Sequence, residues 1–438
     1  MRFIYLDNIR GFQNTYIPIA DINFLVGENS TGKSSVLELI CLLGSPSFWF
    51  TQEFNTDEVE FGNFQDIVSI KSQNKTYFKI GVIDCHGRKQ EHGAFLMTFK
   101  KKDGLPVIST YNYIFNKREI RVKFTEKIIK YKIVPIPSGN EIKKRIVNIF
   151  NNWTNKNDDD TGYKLVKSKI PYNRRTVLGN INSIMETELS DSDMGRSGNI
   201  LALPSFTFNF AWIAPIRSKP KSIYDSYKIV FSPEGDHTPY LIKKILEQKS
   251  KKKGNKRGKK ENFIKFINQF GKESGLFDTI KIREYGKSSA TPFAINIVTG
   301  GKQLKLNRVG YGVSQALPVI VELFIRGEET WFAVQQPEVH LHPKAQVSLG
   351  DLIFNLAVEE KKHFFVETHS DYMIDRFRLN YKKDGKAMVN SQILFFEKNG
   401  MGNNVSSIEI MDNGEYSENQ PDSFREFFIK EELSLLGL

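Results

Sequence analysis

The chain has 438 residues, 40% hydrophobic and 26% charged, with 62 Lys/Arg against 50 Asp/Glu and a formal net charge of +12. These fractions are those of a soluble globular protein, and the length exceeds one ordinary domain. No apolar run approaches the length that spans a bilayer, and Met1-Arg2-Phe3-Ile4-Tyr5 lacks signal-peptide architecture, so a cytoplasmic protein with no membrane partner is expected. Cys41 and Cys85 offer neither a disulfide framework nor metal-ligand spacing.

In chain order, Phe3-Ile4-Tyr5-Leu6 has strand character, and Asn23-Phe24-Leu25-Val26 is a second short apolar run. It leads directly into Gly27-Glu28-Asn29-Ser30-Thr31-Gly32-Lys33-Ser34, a complete phosphate-binding P-loop. Ser35-Val36-Leu37-Glu38-Leu39-Ile40 follows with helix periodicity. Glycines let the backbone wrap a phosphate, and the helix N-terminus adds inward N–H groups and a favourable dipole. Gly27, Asn29, Ser30, Thr31, Gly32, Lys33, Ser34 and Ser35 are therefore the candidate ATP-binding residues. Lys33 is expected on the β/γ-phosphates and the Ser34 hydroxyl on Mg²⁺.

Tyr77–Ile83, Ala94–Phe99, Ile108–Ile114 and Glu119–Phe124 alternate apolar and polar residues, which predicts an antiparallel sheet. Gln65, in Phe61-Gly62-Asn63-Phe64-Gln65-Asp66, falls where a lid glutamine could lie, or in an ordinary turn. Asn151–Thr161 and Glu188–Gly198 are polar and turn-rich, predicting exposed loops. Their acids, Asp158, Asp159, Asp160, Asp191 and Asp193, read as solvated charge rather than a metal cluster. Helical patterns at Thr238–Gln248 and Glu261–Phe270 flank Lys249–Lys260. That tract holds eight Lys/Arg and no acid, so two-thirds of the positive excess sits in one segment. It is expected to be a loop able to neutralise nucleic-acid phosphates or to meet an acidic partner, although no aromatic residue interleaves to stack on bases.

Beyond residue 286 the pattern becomes a parallel α/β unit: helix 312–326, strand 330–334, helix 344–357, strand 363–367 and a helix from Asp371. Three motifs sit on it. Gly310-Tyr311-Gly312-Val313-Ser314-Gln315 opens an apolar helix, placing N–H groups and a hydroxyl where an anion could bind. Trp331-Phe332-Ala333-Val334-Gln335-Gln336-Pro337-Glu338 is a hydrophobic strand ending in polar residues, a Walker B arrangement. Phe364-Phe365-Val366-Glu367-Thr368-His369-Ser370 carries a histidine just after the next strand. His340-x-His342 reads as the turn after Walker B rather than a transition-metal site.

Gly310–Pro318, Gln336–Pro343 and Glu367–Ser370 resemble, almost residue for residue, the stand-alone SMC-like ATPases related to OLD and RecF heads. Ala214-Pro215-Ile216-Arg217 and Asn413-Gly414-Glu415 through Pro421 resemble the same branch, so the likeness covers about residues 1–70 and 205–438. It implies an α/β fold: an ABC-type P-loop ATPase head with a mixed sheet, an antiparallel β lobe and an inserted, partly helical lobe. Residues 1–135 would be the first half of the head, 136–285 the insertion and 286–438 the second half.

The resemblance also implies roles. Gly312, Ser314 and Gln315 would cover ATP held by a second copy, giving a head-to-tail dimer or higher oligomer. Gln336, Glu338 and His369 would be the catalytic group, with His369 on the γ-phosphate, and Gln335 would stand with Ser34 on Mg²⁺. Gln335 departs from the pattern, which has an acid there. An amide orients water but cannot take its proton, so slow hydrolysis is expected, with Glu338 and Glu367 the nearest substitutes. Relatives of this kind, such as the PARIS and Septu ATPases, imply an ATP-dependent sensor in bacterial antiphage defence that holds a separate effector. The alternative is a RecF-type DNA-repair ATPase. Ser391–Leu438 lacks the carboxylate constellation of an OLD nuclease.

Overall fold

A computed structural model describes residues 1–85, 93–115, 117–125, 128–137, 139, 141–155, 161–166, 179, 181, 184, 188, 206–207, 209–225, 229–248, 258–286, 291–384, 389–400 and 402–426. The chain divides into two compact units, one of Met1–Ala20, Glu28–Phe208 and Phe396–Ser407, the other of Asp21–Gly27, Asn209–Phe395 and Ile408–Leu438. Asp158–Asp160, Asp191, Asp193 and positions 249–257 of the lysine tract lie outside the described residues.

The first unit is built on one antiparallel sheet. Its strands are β1 (Arg2–Asp7), β2 (Thr15–Pro18), β4 (Tyr77–Asp84), β5 (Gly93–Lys102), β6 (Leu105–Phe115), β7 (Arg118–Phe124), β8 (Ile129–Pro135) and β9 (Lys164–Leu165), in the order β2-β1-β4-β5-β6-β7-β8-β9. The four strands predicted between residues 77 and 124 are present, and their alternation gives two different faces. One is covered by α4 (Ile142–Asn155), whose Ile146, Phe150 and Trp153 pack on Tyr5, Ile83, Leu96 and Ile114. Asn151–Asn155 thus close a helix rather than open a loop, because Trp153 is buried and its Nε1 donates to Glu119 Oε1 at 2.5 Å. The same unit holds α1 (Lys33–Gly44), α2 (Pro46–Thr51) and α3 (Phe64–Ile67).

The second unit carries the parallel strands. β10 (Phe210–Ile213), β14 (Trp331–Gln335), β15 (His363–Glu367) and β3 (Ile22–Gly27) lie side by side in that order, all parallel; β16 (Ser391–Lys398) and β17 (Asn403–Ile410) come next in the strand order, with Phe396–Ser407 counted in the first unit. Every residue of β3 and β14 is buried, as expected of a sheet covered on both faces. The helices are α5 (Thr238–Leu246), α6 (Lys259–Ser274), α7 (Tyr311–Ile325), α8 (Pro343–Glu360) and α9 (Asp371–Asp384). Phe377 of α9 meets both Phe24 of β3 and Phe354 of α8 edge-on, at centroid distances of 5.1 and 5.6 Å, which fixes the helix pair on the P-loop strand. A small sheet, β11 (Thr279–Glu284), β12 (Phe293–Thr299) and β13 (Lys302–Lys305), precedes α7 and was not legible in the sequence. The mixed α/β architecture with an antiparallel lobe is the one expected.

Candidate active site

In the second unit, three adjacent parallel strands end at one edge of the sheet. Gln335 is registered against Glu367, and Glu367 against Leu25, two residues before β3 ends at Gly27. Carboxyl ends of parallel strands are where open α/β sheets bind ligands.

From Gly27 the chain enters the P-loop. Ser30 and Gly32 both take left-handed backbone conformations, with φ of 61° and 98°. Glycine is required at 32, since a Cβ would stand 2.5 Å from the Phe12 ring and 2.7 Å from Asn403 Nδ2. Gly32 is also the N-cap of α1 and supplies no side-chain cap. The first turn of α1 is therefore built from a glycine, lysine and two serines, a set suited to an anion. Lys33 is 4% exposed, and its Nζ donates to the Glu28 carbonyl at 2.6 Å, with Thr31 Oγ1 donating to the same oxygen at 2.8 Å. Asn29, Ser30 and Ser34 are exposed and Ser35 half-buried. Sequence reasoning did not single out Arg10. Its Nη1 pairs with Glu38 of α1 at 2.8 Å and its Nη2 donates to the Phe61 carbonyl at 3.0 Å, so it holds α1 in place. Gln65 lies on the exposed side of α3, within an Asn63/Asp66 capping box.

At the end of β14, Gln335 is 5% exposed and both ends of its amide are engaged. Nε2 donates to Glu367 Oε2 at 2.9 Å, and Oε1 accepts from Trp212 Nε1 at 3.1 Å. Its backbone carbonyl accepts from Arg217 Nη2 at 2.9 Å. Arg217 is 2% exposed, and its Nε and Nη1 are buried without a hydrogen-bond partner among the described residues. Burial lowers its guanidinium to about 10, opposed by the charge of Glu338. Only the resemblance of the 214–217 segment hinted at this residue.

Gln336 turns the chain with φ 43°, its N–H donating to the Glu367 carbonyl at 2.7 Å. Glu338 Oε1 then accepts from the His369 N–H at 2.7 Å, while Oε2 is buried without a partner among the described residues. Burial pushes the Glu338 carboxyl above the usual carboxylate range, opposed by that N–H and by the Thr368 side chain. The structure thus brings together Gln335, Gln336, Glu338, Glu367, His369 and Arg217 at one sheet edge. The His369 ring is exposed. His342 is the N-cap of α8, its Nδ1 accepting from Lys344 N at 3.3 Å, and no cluster of three metal-ligating residues exists among the described residues.

Gly310 caps α7, and the Ser314 hydroxyl donates back to the Tyr311 carbonyl at 2.7 Å. Ser314 is 5% exposed, and Gln315 is buried with Nε2 lacking a partner among the described residues. A Cβ at Gly312 would stand 2.6 Å from the His340 carbonyl, so glycine lets the start of α7 pack on the turn after β14. Further along α7, Glu322 takes a buried hydrogen bond with His237 Nε2 at 2.6 Å and one from Arg326 Nε at 2.8 Å.

A protein-family profile described as an AAA ATPase domain matches residues 1–374. The chain belongs to that family. As an AAA ATPase it binds and hydrolyses ATP. Among solved structures it is similar to an SMC head bound to the C-terminal winged-helix domain of ScpA (TM-score 0.43, 12% identity, 93% of this chain and 97% of that one). It is also similar to the SMC head domain from Thermotoga maritima (TM-score 0.38, 12% identity, 94% and 100%) and to an Smc head with coiled coil and joint from Pyrococcus yayanosii (TM-score 0.40, 12% identity, 93% and 97%). Comparison with curated proteins gives no match. Among the described residues, no helix is long and apolar enough to cross a membrane.

Proposed function

We propose that this AAA ATPase is an ATP-dependent switch with slow turnover, whose occupied state pairs two copies and holds or releases a separate effector in antiphage defence. The observation that carries the slow turnover is the neutral amide at the end of β14, tied between Trp212 and Glu367. An amide cannot accept a proton from water, so the base must be another group, and loss of a general base commonly costs roughly 10²–10⁴ in rate. Glu338 is that base in our reading, since its buried carboxyl is held by the His369 N–H and its Oε2 has no hydrogen-bond partner among the described residues.

Gly27, Asn29, Ser30, Thr31, Gly32, Lys33, Ser34 and Ser35 bind the ATP phosphates. Ser34 offers a hydroxyl, a hard donor that suits Mg²⁺, an ion that retains several of its waters, whereas the Gln335 amide oxygen already accepts from Trp212 Nε1. Bound Mg²⁺ would neutralise phosphate charge. The pairing and effector roles rest on the resemblance in Gly310–Pro318 and Gln336–Pro343.

The test is single-turnover phosphate release alongside light scattering with ATP. Gly310 is exposed and nothing lies within 4 Å of a Cβ built on it, so Gly310→Arg should leave ATP affinity unchanged yet abolish ATP-driven pairing. Pairing that survives Gly310→Arg, or brisk turnover in Glu338→Gln, would overturn the respective part.

A further inference from the structure

The small sheet before α7 has two unlike faces. Ile280, Ile295 and Ile297 lie in the core of the second unit, with Ile282 packed against it. On the other face, alternation along the chain puts Lys281, Arg283 and Tyr285 in one row. Asn296 of the central strand is registered against Lys281 on one side and Lys305 of β13 on the other, so two lysines flank it on one rung. Strand spacing sets those backbones about 10 Å apart. Ala294 and Asn296, registered against Arg283 and Lys281, are buried, while Lys281 and Arg283 are exposed.

The cations of this face have no carboxylate partner among the described residues. Lys243, Lys362 and Arg376 of the same unit each have a carboxylate within 4 Å, whereas Lys281, Arg283 and Lys305 have none among the described residues. The nearby Glu284 belongs to the opposite face, where it meets Lys243. Two of the cations converge on one ring. The Arg283 guanidinium lies 5.4 Å and Lys305 Nζ 5.9 Å from the centroid of Tyr285, which is 42% exposed. An exposed aromatic ring beside cations with no carboxylate partner among the described residues matches a ligand that carries both repeated negative charge and flat rings.

We propose that this face of the β11–β13 sheet binds single-stranded nucleic acid, with Lys281, Arg283 and Lys305 on phosphates and a base stacked on Tyr285. A duplex hides its bases and would use the cations alone. The site is separate from Lys249–Lys260, and it does not depend on the proposed ATP switch.

The experiment uses the full chain, a fluorescein-labelled 15-nucleotide dT strand and anisotropy between 50 and 300 mM NaCl, with polyphosphate and poly-glutamate as competitors. Removing three phosphate contacts in Lys281→Gln/Arg283→Gln/Lys305→Gln should weaken binding at least tenfold and reduce the salt slope by about 2. Tyr285→Leu should weaken the dT strand roughly 5- to 100-fold and leave polyphosphate within twofold, with Tyr285→Phe close to wild type. Unchanged melting temperatures confirm that the variants are folded, and Lys33→Ala should bind the strand like wild type. Wild-type affinity and slope in the triple variant would overturn the proposal and move the strand elsewhere. Equal loss of polyphosphate in Tyr285→Leu, or capture of poly-glutamate but not dT by the wild type, would also overturn it.

Discussion

Gln335 Nε2 donates to Glu367 Oε2 across the ends of two parallel strands, at 2.9 Å, in a site where the two residues are 5% and 4% exposed. An acid at position 335 would replace that donor with a second carboxylate. Gln335→Glu is therefore expected to lose about 1–3 kcal/mol of stability in Mg²⁺-free buffer at pH 8. The crowded pair would hold one proton more tightly when folded than when unfolded. Its favourable contribution is thus present at low pH and lost as pH rises through the raised folded value. Thermal melts at pH 5 and 8 check this: the deficit against wild type should shrink at pH 5. Equal melting temperatures at pH 8 would show that the amide bridge contributes nothing.

Arg217 supplies a contrast between stability and function. A buried guanidinium whose Nε and Nη1 have no hydrogen-bond partner among the described residues carries a large desolvation cost against its hydrogen bond to the Gln335 carbonyl. Arg217→Met should melt within about 1 kcal/mol of wild type, or higher, while single-turnover hydrolysis falls at least tenfold. A large drop in melting temperature would assign the residue to folding alone.

For Glu338, burial raises the carboxyl above the ordinary value near 4.3. A base must be ionised, so single-turnover hydrolysis should fall with decreasing pH through a midpoint above that ordinary value. The stability sign is opposite: the contribution of the protonated form is present below the unfolded value and lost as pH rises through the folded one. Glu338→Gln should remove the acidic limb and slow turnover roughly 10²–10⁴-fold. An acidic limb that persists in Glu338→Gln belongs to another group.

Lys33→Ala removes a buried ammonium that donates to the Glu28 carbonyl of the loop. Fluorescent-nucleotide titration should show at least a 100-fold loss of ATP affinity, and ATP should no longer raise the melting temperature. Retained affinity would show that Lys33 does not carry phosphate charge.

Gly312→Ala tests the packing of α7 on the turn after β14. A Cβ 2.6 Å from the His340 carbonyl forces a backbone shift, with an expected loss of about 1–3 kcal/mol in denaturant melts. A neutral substitution would mean that the turn yields freely.

Much of this was legible because it is local. The P-loop announces itself through the spacing of Gly27, Gly32, Lys33 and Ser34, and β3, β14 and β15 through buried apolar runs of strand length. The antiparallel lobe showed in its two-residue alternation. The small β11–β13 sheet was missed, although Ile280 and Ile282 alternate with Lys281 and Arg283, because β11 is six residues long and shows only two apolar positions. Asn151–Asn155 looked like a loop because asparagine favours turns, yet one buried tryptophan kept it helical.

The sequence by itself determined that this chain holds a phosphate-binding loop before a helix, and that its second half alternates strands and helices. It also showed that an amide stands where an acid is expected. Tertiary structure alone decided what that amide does. Trp212, Arg217, Gln335 and Glu367 are separated by up to 155 positions, and their hydrogen bonds exist only because parallel pairing sets β10, β14 and β15 side by side in register. Residue type follows from the chain, whereas burial and the partner across a strand follow from the sheet. Those two quantities govern the charge state of Glu338 and the exposure of the Tyr285 face.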